Sequence, residues 1–237
     1  MEKDKPKGRR PKRTKAQIDD CINQAAVAEI IEKGFSDTIL YGIIKRAKIE
    51  PVVFYNRYKS LELFYDEFVK SKDYWFENLL KEIDEPQLSR EELTKILVSL
   101  IDVLDKDSVM LELLRWEVAS ENPTTRRSAA LREFHTLPLA KDYENLFKNT
   151  EVDMLSLSAL VIGGIYYLEL HKNLSPFSGI DLKTEEGRQR IKDAIRAFVG
   201  ILFDLKDEKL RHERMRGRMK EKGLSDADIE YCLNLKD

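Results

Sequence analysis

The sequence predicts an all-α protein with a small three-helix head and a larger helical body. Three observations carry this. Apolar residues recur at three- and four-residue spacing in one segment after another, and no run alternates with the period of a strand. The 237 residues include only 10 Gly and 7 Pro, too few for the closely spaced turns of a sheet protein. Hydrophobic residues make up 42% and charged residues 35%, the balance of helices with one apolar and one charged face. No run of 18 or more apolar residues marks a membrane span, and the basic N-terminus lacks the apolar core of a signal peptide. The expected location is the cytoplasm, with no membrane partner. Cys21 and Cys232 lie far apart in sequence and read as free thiols of a reducing compartment.

The elements follow in order. Residues 1–15 form a basic arm without apolar periodicity, in which Pro6-Lys7-Gly8-Arg9-Arg10-Pro11 loosely resembles an AT-hook. The arm is either a solvated tail or a strand that reaches phosphates or the minor groove. Thr14 with Gln17 predicts a capping box that opens helix 1, which runs to about Lys33 and stops at Gly34. Ile22, Ala26 and Ile30 form its inner face. Helix 2 opens at Thr38 and turns Leu40, Ile43, Ile44 and Ala47 to one side. Pro51 suits the first position of helix 3, whose Phe54 and Tyr58 join Phe35 in the core. Helix 4 is expected from Ser60 to about Asp84, a span of roughly 35 Å that leaves the head and enters the body.

Leu88-Ser89-x-x-Glu92-Leu93 predicts a capping box and hydrophobic staple at the start of helix 5. Helix 6 takes Ser108 to Ser120, and helix 7 runs from Pro123 to about Lys148 with a kink or break at Pro138. Helix 8, from about Val152 to His171, is the most apolar, and its Ala159, Gly163 and Gly164 suit a close helix crossing. Thr184 caps helix 9, which reaches Leu205. The charged stretch that follows is either its solvated continuation or a second polyanion contact. Ser225 caps a short last helix. The expected domains are the arm at 1–15, the head at 16–60, the body at 61–206 and a charged extension at 207–237.

Helices 2 and 3 with a tight turn make a helix-turn-helix, whose second helix enters the DNA major groove. The spaced set Gly34, Phe35, Thr38, Ile43, Ala47, Tyr55, Tyr58, Lys59 and Ser60, continued by Glu62 and Phe64, resembles the pattern of the TetR family of bacterial transcription regulators. The departures are specific. Lys48 stands where that pattern carries Gly, and a non-Gly residue at positive φ costs about 1 kcal/mol. Glu50 stands at a cap position where Ser is usual, Val52 replaces the Gly of the reading helix, and Leu61 replaces a Lys that opens the fourth helix. The resemblance implies a DNA-binding head followed by a larger ligand-binding and dimerisation domain.

Charge distribution points the same way. Residues 1–60 hold 14 Lys/Arg against 8 Asp/Glu, while the rest of the chain is acidic by about 8 charges. A basic end on an acidic body orients a protein on a polyanion. The expected DNA-facing residues are Arg9, Arg10, Thr38, Lys48, Pro51, Val52, Val53, Tyr55, Asn56, Arg57 and Lys59. Tyr55, Lys59 and Lys48 are assigned to phosphates. Asn56 is suited to adenine and Arg57 to guanine by bidentate geometry.

The expected ligand cavity takes Trp75, Leu79, Met110, Leu113, Trp116, Glu117, Phe134, His135, Phe147, Tyr166 and Tyr167, with Glu169 a further polar anchor. Ala159, Gly163, Ile195, Phe198 and Leu202 are the expected dimer seam. The expected partners are a palindromic double-stranded DNA operator, a small apolar or amphipathic ligand and a second copy of the chain. His135, His171 and His212 form no metal-ligand spacing, and no phosphate loop or nucleophile motif is present, so no enzyme activity, metal or cofactor is expected. The competing reading is a nucleoid or cell-division protein of the same fold that acts through a protein partner, with the extension at 207–237 serving that contact.

Overall fold

The computed structural model describes residues 13–72 and 88–234. Among these residues the chain forms ten helices and no strand, apart from one isolated bridge between Phe177 and Ile180. In order they are α1 (Lys15–Asp37), α2 (Leu40–Ala47), α3 (Pro51–Tyr58), α4 (Leu61–Lys72), α5 (Arg90–Lys106), α6 (Ser108–Ala119), α7 (Pro123–Phe147), α8 (Met154–His171), α9 (Glu185–Glu221) and α10 (Asp226–Asn234). They fall into two compact units. Unit 1 holds α1–α4 together with Ser108–Ser128, and unit 2 holds α5, the remainder of α7 and α8–α10.

Unit 1 is larger than the expected head because α6 belongs to it. Its three-helix core is close to the sequence reading: Ile22, Ala26, Ile30, Phe35, Ile43 and Phe54 are buried, while Leu40 and Tyr58 are half-buried. The capping box at Thr14 and Gln17 is present. Gly34 takes φ 78°, and the chain continues in a further turn to Asp37. Beside that break Phe35 stacks on Trp116 of α6, with ring centroids 4.8 Å apart and planes 4° from parallel. Tyr65 of α4 meets the edge of both Phe35 at 5.4 Å and Trp116 at 5.6 Å. Phe64 then reaches Phe54 of α3 at 5.7 Å. This aromatic chain ties α6, α1, α4 and α3 together, and pairs of this kind are each worth about 0.5–1.5 kcal/mol beyond burial.

Trp116, half-buried, therefore packs in unit 1 and not in a cavity of the body, and Met110 and Leu113, each 1% exposed, are core residues of the same unit. The sequence placed them in the body because α6 follows α5 without a break. Helical period identifies the buried face of α6 but not which unit covers it.

In unit 2, Ser89 caps α5, Asp153 caps α8 and Thr184 caps α9, each accepting from the backbone three residues on. α7 continues through Pro138 in one helix. Phe147, expected in the cavity, is 1% exposed and meets Phe203 edge-on at 5.3 Å in the helix core. An ionic cluster binds α5, α8 and α9. Lys172 Nζ lies 2.7 Å from Asp105 and 2.8 Å from Glu169, and Lys192 Nζ lies 2.5 Å from Asp102. Glu169, expected as a ligand anchor, is committed to this cluster.

α9 is 37 residues long and continues as one helix well past Leu205. α10 packs back on this extension through Ile229, which is fully buried, and through the pairs Arg216–Glu230 and Lys220–Asp226.

Candidate nucleic-acid interface and ligand cavity

The turn between α2 and α3 is built by a left-handed residue. Lys48 takes φ 54°, ψ 50°. Its N–H donates to Lys45 O, and the N–H of Ile49 donates to Ile44 O, both at 3.3 Å. This is the Schellman arrangement, which satisfies the last carbonyls of α2 and redirects the chain sharply. Lys48 thus adopts the backbone that Gly would adopt at no steric cost, and retains its charge on an exposed side chain. Arg13 adds a bond from its guanidinium to Ala47 O at 3.1 Å, so the end of the basic arm meets the C-terminus of α2. No local pattern signals that contact. Glu50 makes no side-chain cap, and Pro51 opens α3.

α3 is held by one buried residue, Phe54. Its solvent side presents Pro51, Val52, Tyr55, Asn56 and Lys59, all exposed, with Val53 half-buried. Two expected members differ. Arg57 is turned back onto α1: its guanidinium pairs with Asp19 in a two-pronged contact and donates to Lys15 O at 2.8 Å. The hydrogen bond to Asp19 raises the Arg57 pKa still further. Tyr58 lies beside the same carboxylate at 3.4 Å, and burial pushes its hydroxyl up. Arg57 therefore positions α3 on α1 and is not presented as a base reader.

Thr38 is 4% exposed, and its hydroxyl donates to Gly34 O at 2.7 Å. It closes the joint between α1 and α2 and leaves the DNA-facing set. Tyr41, at the start of α2, is 68% exposed. Its exposure breaks the apolar-inside rule of that helix, which was the signal for it. Arg9 and Arg10 lie outside the described residues.

A buried carboxylate fixes the crossing of α1 and α2. Glu29 is paired with Lys33 at 2.7 Å and Arg46 at 2.9 Å, and Arg46 also reaches Glu32 at 2.5 Å. The bonds from Lys33 and then Arg46 hold the Glu29 carboxyl below its ordinary range against the opposing effect of burial. Gly42 leaves room for that carboxylate: a Cβ there would stand 2.4 Å from Glu29 Oε2, so the Glu29 side chain would have to shift.

Unit 2 contains a cavity of about 510 Å³ among α5, α7, α8 and α9, within the range of small-molecule sites, roughly 300–1,000 Å³. Its walls are largely aliphatic, with Leu93, Ile96 and Leu100 from α5, Met154 and Ile162 from α8, and Leu202 from α9. Arg132, Thr136, Tyr143 and Ser158 supply polar groups. The Tyr143 hydroxyl donates to Ser89 O at 3.5 Å, and burial pushes its pKa well above the usual value.

Of the expected lining residues, Tyr166 is in the wall. Phe134 is 72% exposed and His135 meets it edge-on; Tyr167 is 52% exposed and stacks on His171. Glu117, on α6, belongs to unit 1. Trp75 and Leu79 lie outside the described residues. The sequence missed α5 and Arg132 because an aliphatic wall has the same pattern as an aliphatic core.

α8 and α9 leave an apolar face uncovered. Ala159, Leu160, Gly163, Gly164 and Tyr167 are exposed on α8, and Ala194, Ala197, Ile201 and Leu205 on α9. An added Cβ at Gly163 or Gly164 meets nothing within 4 Å, so these glycines permit no close crossing inside the chain. Of the expected seam, Ala159 and Gly163 are on this face. Ile195 and Leu202 are buried inside unit 2, and Phe198 lines the cavity. On α9 the exposed apolar residues are displaced from these by one position, about 100° around the helix. α8 is also long and apolar enough to cross a membrane, by length and composition, with 17% of it buried.

No protein-family model matches the chain, and no curated protein matches it in sequence. Solved structures do match. GusR of Salmonella enterica superposes with a TM-score of 0.56 at 15% identity, over 81% of this chain and 100% of that one. A TetR-family regulator of Streptomyces coelicolor gives 0.54 at 19% identity, over 81% and 91%. A protein of Mesorhizobium loti assigned to the same family gives 0.56 at 20% identity, over 80% and 98%. The chain has the fold of the TetR-family transcriptional regulators.

Proposed function

We infer that the protein is a sequence-specific double-stranded DNA-binding transcription regulator that works as a homodimer, and that it is a repressor released by a small apolar or amphipathic ligand. The observation that carries this reading is the α2–α3 pair: a tight left-handed turn, a reading helix pinned by Phe54, and an exposed face of Val52, Tyr55, Asn56 and Lys59 flanked by Lys48. A short helix held on one buried aromatic and otherwise solvent-facing is suited to insertion in a major groove. The basic excess of the first 60 residues supplies the electrostatic attraction. Asn56 is the side chain suited to a base edge, by bidentate bonding to adenine. Lys48, Tyr55 and Lys59 are suited to phosphates.

The uncovered face of α8 and α9 supports a twofold partner, since a reader of palindromic half-sites needs two heads at fixed spacing. A second copy also accounts for the apolar surface of α8 without a membrane, because that helix carries Glu169 paired to Lys172 inside the unit. The cavity supports a ligand. Its α5 wall runs directly into α6, whose Trp116 stacks on Phe35 in the unit that bears α3. A ligand that favours one arrangement of α5 would bias the head through that chain connection, provided it binds the two states unequally.

The test is selection of bound duplexes from a random pool, followed by affinity measurement across salt. Enrichment of a palindrome is expected, with affinity falling about 10³–10⁵-fold between 50 and 200 mM salt if 6–10 phosphates are contacted. Asn56→Ala should change the enriched sequence, and Lys59→Ala should weaken all duplexes alike. A pool with no enriched sequence and a flat salt response overturns the reading.

A further inference from the structure

We propose that the far end of α9 carries a second DNA contact, a stripe of Arg211, Arg214, Arg218 and Lys222 that holds the phosphate backbone of a duplex irrespective of its sequence. This contact is separate from α3 and does not depend on α3 reading bases. Arg211, Arg214 and Arg218 lie in α9, and Lys222 is its C-cap. At 100° per residue the four fall within about 80° of arc, and at 1.5 Å per residue they span about 16 Å. All four are exposed, and none is paired with a carboxylate among the described residues.

The chain segregates its charges here. Lys206 to Lys222 holds 8 Lys/Arg against 4 Asp/Glu. The cations that are paired, Arg216 with Glu230 and Lys220 with Asp226, each stand two positions from Arg214 and Arg218, about 200° around the helix. α10 thus covers one side of α9 with its acidic residues, and the stripe faces solvent on the other. The acidic residues nearest the stripe are Asp207, which Lys206 meets at 3.9 Å, and Glu208 and Glu221 at its margins. Neighbours within the stripe are like-charge pairs at i, i+3 or i, i+4, which weaken a helix. A polyanion laid along it relieves that repulsion.

What the face lacks identifies the partner. Met215, 46% exposed, is the exposed apolar side chain beside the stripe. A helix that binds a bilayer needs an apolar face to bury, and a protein interface has an apolar centre. A DNA interface is more polar and strongly positive. Three of the four cations are Arg, whose planar fork takes phosphate oxygens in pairs. No aromatic side chain stands in the stripe for unpaired bases to stack on, so a duplex fits it better than a single strand. A row of like cations follows the backbone rather than a sequence.

The probe is a labelled duplex of arbitrary sequence, about 30 base pairs long, titrated with the full-length protein by fluorescence anisotropy from 50 to 200 mM salt. The stripe variant combines Arg211→Gln, Arg214→Gln, Arg218→Gln and Lys222→Gln. At a salt slope of about −0.9 per phosphate, the parent should lose about 100-fold more affinity than this variant over that range. The comparison variant combines Lys141→Gln, Lys148→Gln, Lys183→Gln and Arg190→Gln, four exposed cations of the same unit, and should follow the parent. In the unmodified protein the duplex should protect Arg211, Arg214 and Arg218 from phenylglyoxal, read by mass spectrometry, and leave Arg190 reactive. That measurement decides the matter even if the stripe variant fails to fold.

Equal salt slopes in the two variants, no binding of the duplex by the parent, or full labelling of the three arginines in its presence overturns the proposal. A stripe variant that keeps its duplex affinity and loses binding to phosphatidylserine vesicles overturns it in favour of a membrane. The reading by α3 fails separately: a pool with no enriched sequence, beside a salt slope that still falls in the stripe variant, removes the sequence reader and leaves the backbone contact standing.

Discussion

Replacing Trp116 with Ala separates two roles for the same residue, a ligand-facing aromatic and a structural member of the DNA-binding unit. In the structure its ring stacks on Phe35 at 4.8 Å and meets the Tyr65 edge at 5.6 Å. Phe35 is 3% exposed and Tyr65 is 6% exposed, so truncation opens a hole against two buried neighbours. Burial pushes the Tyr65 hydroxyl up to about 12, a further sign of a dry site. Complete removal of a buried Phe or Trp side chain costs about 3–5 kcal/mol. Trp116 is half-buried, which brings the expected loss to about 2–3 kcal/mol, a drop of roughly 4–12 °C in melting temperature. The assay is thermal unfolding by circular dichroism, with Phe134→Ala as the comparison. Phe134 is 72% exposed, and its removal should stay within about 0.5 kcal/mol. A Trp116→Ala variant that melts with the parent and loses only ligand affinity refutes the core assignment and returns the residue to a cavity.

Gly42→Ala in an ordinary helix would gain about 1 kcal/mol, but here the new Cβ meets Glu29 Oε2 at 2.4 Å and drives the carboxylate off Lys33 and Arg46. The variant should melt lower than the parent by about 1–2 kcal/mol, and a stabilised variant contradicts the crossing. Acid should unfold the protein from named carboxylates. Glu29 is held below 4.5 by Lys33 and Arg46 against burial, and Asp105 below 3.8 by Lys172 against burial. For Asp66 burial acts upward, and the bonds from Arg127 and Thr124 more than reverse it. Groups with depressed folded values stabilise above their unfolded values and lose that contribution as pH falls through the folded ones. The urea midpoint should therefore decline as pH drops below 4.5 and then 3.8, with Glu169, raised by burial, acting in the opposite sense. A midpoint that rises over that interval contradicts the assignment. Leu160→Asp combined with Ile201→Asp places charge on the uncovered face of α8 and α9 and should give folded monomers of 27.7 kDa by light scattering. A dimer that persists moves the seam elsewhere, whereas Ile195→Asp, at an 8% exposed site, should instead destabilise the fold.

The sequence by itself determined what local rules determine. Caps at Thr14, Ser89, Thr184 and Ser225 are side-chain bonds to backbone three residues away, so they are written in the residues that make them. The turn at Lys48 was not so determined: a non-Gly residue resists positive φ, so the residues left the geometry open, and the structure shows Lys48 in the left-handed region. The buried faces of α1, α5 and α6 follow from a period of 3.6. Tertiary structure decided which apolar face meets which. Trp116 and Met110 went to unit 1, and Leu93 and Ile96 to the cavity. Hydrophobic burial is non-directional, so an aliphatic residue carries no label for core, pocket or partner. It also decided the pairing of long charged side chains. Arg57 had the position of a base reader, and Asp19, 38 residues earlier in the chain, turned it inward. Contacts across such sequence separations arise from helix packing, and no local pattern encodes them.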